Sequence, residues 1–163
     1  MAGPGKSIVE VPLLEVLPRD CAAAVGEIRR LAGELDTHAA GRVAWHWFPE
    51  HSRPAGHGDV LLDASITLFN ADADWLALTL DLAWSPDLTV NAAVEVACWC
   101  RPDHNTHYVR DQTWQVTGGA DLVDAFAAGI AMLKPVLDHG PFHPLPWRAD
   151  AGLPQPTDWA ASS

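Results

Sequence analysis

The sequence predicts an α+β domain, in which an antiparallel meander sheet of about five strands carries an N-terminal and a C-terminal helix on one face. In four consecutive segments of the middle of the chain, apolar residues alternate with polar ones, the pattern of half-buried strands. Short links join these segments, which favours antiparallel neighbours. Before and after them, apolar residues recur at helical spacing, so two helices can cover the apolar face of the sheet.

The length of the chain, 163 residues, fits one domain of ordinary size. We predict that this domain covers residues 1–153 and that a loose C-terminal tail covers residues 154–163. The stretch from Gly140 onward contains five prolines and little periodicity, which favours an arm packed on the domain followed by a loose end.

The first part of the chain predicts an edge strand and a helix. Residues 7–16 form a short, largely apolar segment that we predict to be a strand. Pro12 would confine this strand to the edge of a sheet. Residues 20–40 have helical periodicity, with Asp20 as the predicted N-cap and Gly41 as a stop signal. The apolar stripe of this helix consists of Val25, Ile28, Leu31 and Leu35.

The middle and the end of the chain supply the sheet and the closing helix. In residues 59–69, we predict that Val60 and Leu62 face the core and that Leu61 and Asp63 face the other way. The remaining strand segments are predicted at residues 43–48, 75–84, 88–100 and 108–116. A helix is predicted over residues 120–139, with an apolar stripe of Leu122, Phe126, Ile130, Leu133 and Leu137, and with Pro135 either kinking its last turn or ending it early.

Composition narrows the class of protein. The formal net charge is −11 and the pI is near 4.9, so the field around the chain repels phosphate backbones and anionic membranes, and we expect no nucleic-acid or membrane partner. No apolar run is long enough to span a membrane, and the N-terminus lacks a secretory pattern. With three cysteines and no disulfide framework, we expect a cytoplasmic protein with reduced thiols.

Carboxylates on the polar face of the sheet are the main functional signal. Pairing Phe69 with Trp75 across the loop NADAD places Asp63 opposite Asp81, where like charges destabilise a sheet. With SPD as the next loop, Glu95 is predicted opposite Thr79. Trp75 and Trp99 are predicted on the same face of the sheet as these acids. The predicted binding residues are Asp63, Asp81, Glu95, Asp111, Trp75 and Trp99.

These residues favour a non-catalytic binding domain that presents a carboxylate and tryptophan face to a basic protein, as immunity proteins or antitoxins would by analogy. The alternative is a small-molecule-binding protein, or an acid–base enzyme, with a carboxylate-floored pocket in a curled sheet. The partner is then a cationic small molecule. Two further interpretations are an acidic face that is only solvated and a subunit that associates with its own copy. No cofactor is expected.

The stretch CWCRPDHNTHYV offers thiolate and imidazole ligands for zinc at Cys98, Cys100, His104 and His107. Four ligands from one tight turn leave little room for a tetrahedron, and the cysteines continue the parity of core residues. We therefore favour core cysteines beside a polar turn, and no metal site. An iron site built on His57 and Asp59, with a second histidine from among His104, His107 and His139, is the weaker alternative. No nucleophile motif is present.

Overall fold

The computed structural model describes residues 7–53, 58–71, 74–98 and 106–138, with side chains described except at 69–71, 74–76, 96–98 and 106–110. The chain forms a five-stranded antiparallel sheet with helices before and after it, which confirms the predicted α+β class. In chain order, the helices and strands are α1 (Leu13–Val16), α2 (Val25–His38), β1 (Val43–Trp47), β2 (Asp59–Ala71), β3 (Asp74–Trp84), β4 (Leu88–Cys98), β5 (Thr106–Gln115) and α3 (Gly119–Asp138).

The sheet is a meander with the spatial order β1-β2-β3-β4-β5, as the short links predict. Helix α3 packs on β3, β4 and β5, and α2 packs on α3, so both helices lie on one face. The stacked rings of Trp45 and Phe126, whose centroids are 6.3 Å apart, join β1 to α3 across the core. The opposite face of the sheet, which we call the open face, carries no α-helix within the part of the chain that the structure describes, and the 3₁₀ helix Pro49–His51 borders it.

The predicted helix stripes form much of the core. All five stripe residues of α3 are buried, and α3 continues past Pro135 to Asp138, so it does not end early. In α2, Ile28, Leu31 and Leu35 are buried, whereas Val25 at the first turn is half-buried.

The N-terminal segment corrects one prediction. Residues 7–16 are not an edge strand but a 3₁₀ turn at Ile8–Glu10 followed by α1. Side chains of α2 satisfy the backbone of this segment. Arg29 donates to the carbonyl oxygens of Ile8 and Val11 at 3.0 and 3.1 Å, and Asp36 accepts from the Ile8 N–H at 3.1 Å. A pairing strand is therefore not needed, because each of these groups already has a partner.

The start of the first long helix also differs from its prediction. Residues Arg19–Ala24 form a 3₁₀ helix, and α2 begins at Val25 with Ala24 in the N-cap position. Asp20 therefore does not cap α2. Gly41 follows the helix with a φ of 77°, a left-handed conformation that suits glycine and fits its role as a stop signal.

A β-bulge changes the faces predicted for the start of β2. Val60 pairs with Ala83 and Leu62 pairs with Leu82, so one extra residue lies between them on β2. Leu61 and Leu62 are both fully buried, whereas Val60 lines a cavity on the open face. The prediction that Val60 faces the core and Leu61 faces away from it is therefore wrong, because the extra residue reverses the parity.

Several predictions lie outside the described residues, namely the arm after Gly140, the loose tail at 154–163 and the turn that follows Cys98. Among the residues that are described, no helix combines the length and the apolar character needed to cross a membrane.

Candidate functional site

A row of polar side chains crosses the open face from one edge of the sheet to the other. Each of its members lies directly opposite the next on the neighbouring strand, because the strands are in register at this level. The row consists of His46, Asp63, Asp81, Asn91 and Thr113. Within this row, Asp63 on β2 and Asp81 on β3 lie side by side, and we call them the carboxyl pair. Strand β2 is next to the edge strand β1, and β3 is the central strand.

The predicted alignment of the carboxyl pair is confirmed, although the predicted turn is not. Phe69 pairs with Leu76 rather than with Trp75, because β2 and β3 remain paired as far as Ala71 and Asp74. A second irregularity on β2, between Thr67 and Phe69, compensates for this shift. The two departures cancel, so the register predicted from the loop length holds at the carboxyl pair.

Glu95 lies on the open face, but at a different level from the one predicted. The predicted link at residues 85–87 is confirmed, since Trp84 pairs with Leu88. Counting along the strands from that pair places Glu95 opposite Ala77 and not opposite Thr79. Asp81 is therefore opposite Asn91, and Glu95 is displaced from the carboxyl pair along the strand.

A cavity of about 450 Å³ lies over the carboxyl pair on the open face. Strands β2 and β3 form its floor, and Phe48, His51 and Gly58, from the link between β1 and β2, form a wall. The lining residues are Phe48, His51, Gly58, Asp59, Val60, Asp63, Thr79 and Asp81. The volume lies within the range of small-molecule sites, about 300–1,000 Å³.

Hydrogen bonds fix the wall of the cavity. The Phe48 N–H donates to the Leu61 carbonyl oxygen at 2.9 Å, and the Trp84 Nε1–H donates to the carbonyl oxygen of His51 at 2.8 Å. The Nδ1 atom of His51 lies 2.8 Å from the carbonyl oxygen of Val60. The rings of Phe48 and His51 are stacked, with centroids 5.6 Å apart. The wall is thus an aromatic surface held by several backbone contacts.

The carboxyl pair holds a proton at neutral pH. Burial raises the pKa of Asp81 from 3.8 to about 9, and the hydrogen bond with Asp63 and the charges of Asp63 and Glu95 act in the same direction. Two carboxyls placed opposite each other in a half-buried site cannot both ionise cheaply, so one keeps its proton and donates it to the other.

A histidine lies on the far side of the pair. The Nδ1 atom of His46 is 3.6 Å from an Oδ atom of Asp63, and the two side chains are 27% and 30% exposed. Asp63 is thus flanked by an imidazole on β1 and by the Asp81 carboxyl on β3, an arrangement in which protons or cations can be held.

The two other predicted acids share the open face but do not line the cavity. Burial raises the pKa of Glu95, with smaller contributions from the charges of Asp63 and Asp111. Asp111 is exposed and accepts a hydrogen bond from the Asn91 side-chain amide at 2.5 Å. Both residues therefore add negative potential around the cavity without forming its floor.

The structure brings together only part of the predicted site. Asp63 and Asp81 meet in the cavity, whereas the side chain of Trp75 and the whole of Trp99 lie outside the described residues. The prediction missed Phe48 and His51. One signal could have indicated them, since the link at residues 48–58 is much longer than the other links between strands, and long loops often carry function.

In the ranges that the structure describes, no group of three or more histidine, cysteine, aspartate or glutamate side chains is placed to hold a metal ion. The ligands of the zinc hypothesis, at Cys98, Cys100, His104 and His107, lie outside the described side chains, and so does His57. Both metal hypotheses remain untested.

Comparison of this chain with protein-family models, curated proteins and solved structures gives no match. A function must therefore be inferred from the geometry and the electrostatics of the cavity.

Proposed function

We propose that this protein binds a small organic cation, an amine or a guanidinium compound, in the cavity on the open face. The observation that carries the proposal is the carboxyl pair at the floor of a cavity of about 450 Å³. Of the two functions predicted from the sequence, this observation favours the small-molecule site over a broad surface for a basic protein.

The shape of the site supports a small ligand. Asp63 and Asp81 lie at the base of a concave surface, below a wall that includes Phe48. A stable protein interface buries roughly 800 Å² on each partner. A recessed pair of carboxyls is instead typical of a pocket in which a few polar groups orient a ligand.

The charge and the aromatic wall support a cationic ligand. The lining includes three aspartates, and none of the described lining residues is a lysine or an arginine. Phe48 is 37% exposed and stacks on His51, so a ring face is available beside the carboxyls. Carboxylates with an aromatic face are the usual partners of ammonium and guanidinium groups.

The test is calorimetric titration and thermal melting with benzylamine and agmatine, and with neutral benzyl alcohol as the ligand control. We expect the amines to bind and to raise the melting temperature, whereas benzyl alcohol does neither. Asp63→Asn and Asp81→Asn should weaken amine binding by roughly tenfold or more, since charge-assisted contacts contribute about 1.5–3 kcal/mol.

Asp111→Asn is the matched control, because it removes a carboxylate from the same face but not from the cavity. It should change amine affinity by less than about threefold, since an exposed charge acts only through a screened field. Equal losses in the cavity variants and in Asp111→Asn would show that general surface charge, and not the cavity, attracts the amine.

A basic protein is the second candidate, and Glu95 and Asp111 favour it because they extend the negative surface beyond the cavity. A lysine or arginine side chain of such a partner could enter the same cavity. Binding of a basic protein that is lost in Asp111→Asn, without any binding of free amines, would support this candidate.

A further inference from the structure

We infer that the cavity binds its ligand by cation–proton exchange, in which an entering guanidinium or ammonium group displaces the proton shared by Asp63 and Asp81. This inference rests on the proposed function and specifies how the site is regulated. It makes occupancy of the site depend on pH, with release favoured in acid.

The geometry of the carboxyl pair requires a positive charge between its members if both are ionised. Asp63 and Asp81 are directly opposite in neighbouring antiparallel strands, where Cβ atoms lie about 4.5–5.5 Å apart. In the protein without ligand, a proton between the two carboxyls meets this requirement. A guanidinium group that donates to both carboxylates meets it equally well, because its planar fork of N–H groups matches two acceptors.

Charge and protons balance in the exchange. Before binding, the pair holds one proton and carries one negative charge. After binding, both carboxyls are ionised and the ligand contributes one positive charge, so the charge of the site is unchanged. The displaced proton passes to water or buffer, and no other group is consumed. The ligand therefore enters without adding an uncompensated charge to a half-buried site.

The titratable groups around the carboxyl pair also affect the binding of a cation. Helices α2 and α3 cover the opposite face, so the groups that face the pair come from the strands and from the cavity wall. Among the side chains that the structure describes, they are His46 on β1, Asp59 on β2, Glu95 on β4, Asp111 on β5 and His51 in the wall. The acids attract the ligand. Acid weakens binding through the carboxyl pair, because the proton then competes with the cation.

The experiment uses benzylguanidine, which keeps its charge over the whole range, with benzylurea as the neutral ligand of similar shape. Calorimetry at about pH 7.5 in phosphate and in Tris, whose ionisation enthalpies differ, counts the protons released. We expect about one proton per ligand, and a Kd that falls by about tenfold per pH unit between about pH 6 and 8. Benzylurea should not bind.

Asp81→Asn removes the shared proton but leaves the Asp63 carboxylate. We expect it to bind benzylguanidine with no proton release and with a Kd that varies little with pH. Asp111→Asn should release a proton as the unaltered protein does. A second measurement does not depend on any variant: carboxyl ¹³C NMR of the free protein should show one carboxyl of the pair titrating well above pH 7, and should show that step vanish at saturating benzylguanidine.

Two failures can be told apart. If the unaltered protein does not bind benzylguanidine at any pH, both the proposed function and this inference are wrong. If it binds with no proton release and a constant Kd, the cavity is a cation site but the exchange is wrong. Nα-acetyl-arginine amide tests the source of the cation: binding with equal proton release supports exchange and indicates that arginine in a protein can supply the charge, whereas exchange with benzylguanidine alone indicates a free small molecule.

Discussion

Asp81 makes the stability of the fold depend on pH. Its pKa in the folded protein is about 9, against an ordinary value of 3.8. As pH rises through 4, the carboxyl in the unfolded chain loses its proton while the folded protein keeps it. Between about pH 4 and 9 the folded state therefore binds more protons than the unfolded state, and its stability falls as pH rises.

Asp81→Asn should remove this dependence. An amide resembles the protonated carboxyl and can donate to Asp63 without any proton uptake. We expect the gain in the free energy of unfolding to be larger at about pH 8.5 than at about pH 5, growing by up to about 1.4 kcal/mol for each pH unit between them. Urea melts at the two pH values measure the difference. A gain that is the same at both values would mean that the shared proton is not its cause.

Asp36 joins three parts of the chain through one carboxylate. It accepts from the Trp45 Nε1–H at 2.7 Å and from the Ile8 N–H at 3.1 Å, and Trp45 is fully buried. Asp36→Ala leaves a buried indole N–H with no acceptor, so we expect a loss of about 2–3 kcal/mol of stability in denaturant melts.

Asp36→Asn keeps one side-chain oxygen as an acceptor and should cost less than Asp36→Ala. Glu34→Ala is the matched control on the same helix, because Glu34 only pairs with Arg30 on the surface and should change stability little. Equal losses at positions 34 and 36 would indicate a general effect on helix α2 and not the loss of the Trp45 contact.

At the scale of elements, α3 packs closely on the sheet at Gly129. A Cβ added there would lie 2.6 Å from a Cδ atom of Leu80, which is itself buried. Gly129→Ala should therefore force α3 away from β3 and cost about 1–3 kcal/mol, although alanine favours the helix.

Gly33→Ala provides the matched comparison, because Gly33 lies inside α2 and an added Cβ would meet nothing within 4 Å. It should stabilise the protein by about 0.5–1 kcal/mol through helix propensity alone. Thermal melts of both variants measure the contrast. A stabilised Gly129→Ala would show that the helix can move from the sheet without loss.

The sequence predicts the elements whose pattern is set locally. Period-two alternation and helical stripes identify the sheet and α3, because burial of one face imposes them directly. The N-terminal segment is different, since its conformation depends on Arg29 and Asp36, which are distant in sequence. Alternation likewise gives no sign of the extra residue near Leu61, so the parity of Val60 is mispredicted.

The candidate site was predictable only where register decides it. Alternation predicts that Asp63 and Asp81 share a face, but their exact alignment depends on an irregularity between Thr67 and Phe69 that cancels the shift at the turn. The cavity itself was not predictable, since its wall depends on how residues 48–52 fold back on β2 through the contacts of His51 and Trp84. No periodic pattern in the sequence encodes those contacts.

At the scale of the molecule, the net charge of −11 should affect stability and ligand binding in opposite directions. Repulsion among the excess acids destabilises the compact state. Salt weakens this repulsion, because the Debye length falls to about 10 Å at 0.1 M. Raising NaCl from about 0.02 to 0.5 M should therefore raise the melting temperature by a few degrees. The same screening weakens the attraction of a cation to the open face.

Benzylguanidine should accordingly bind several-fold more weakly at the higher salt concentration, while the protein melts at a higher temperature. KCl should act as NaCl does, since screening depends on ionic strength and not on the ion. In the exchange, the surrounding acids attract the entering cation and the displaced proton alike, so the salt effect is measured at about pH 10, where the pair has no proton left to release. Under that condition Asp111→Asn should make the affinity less sensitive to salt. Calorimetric titrations of both proteins at the two salt concentrations measure this. A salt-independent affinity would contradict attraction by the acidic face and would leave only short-range contacts within the cavity.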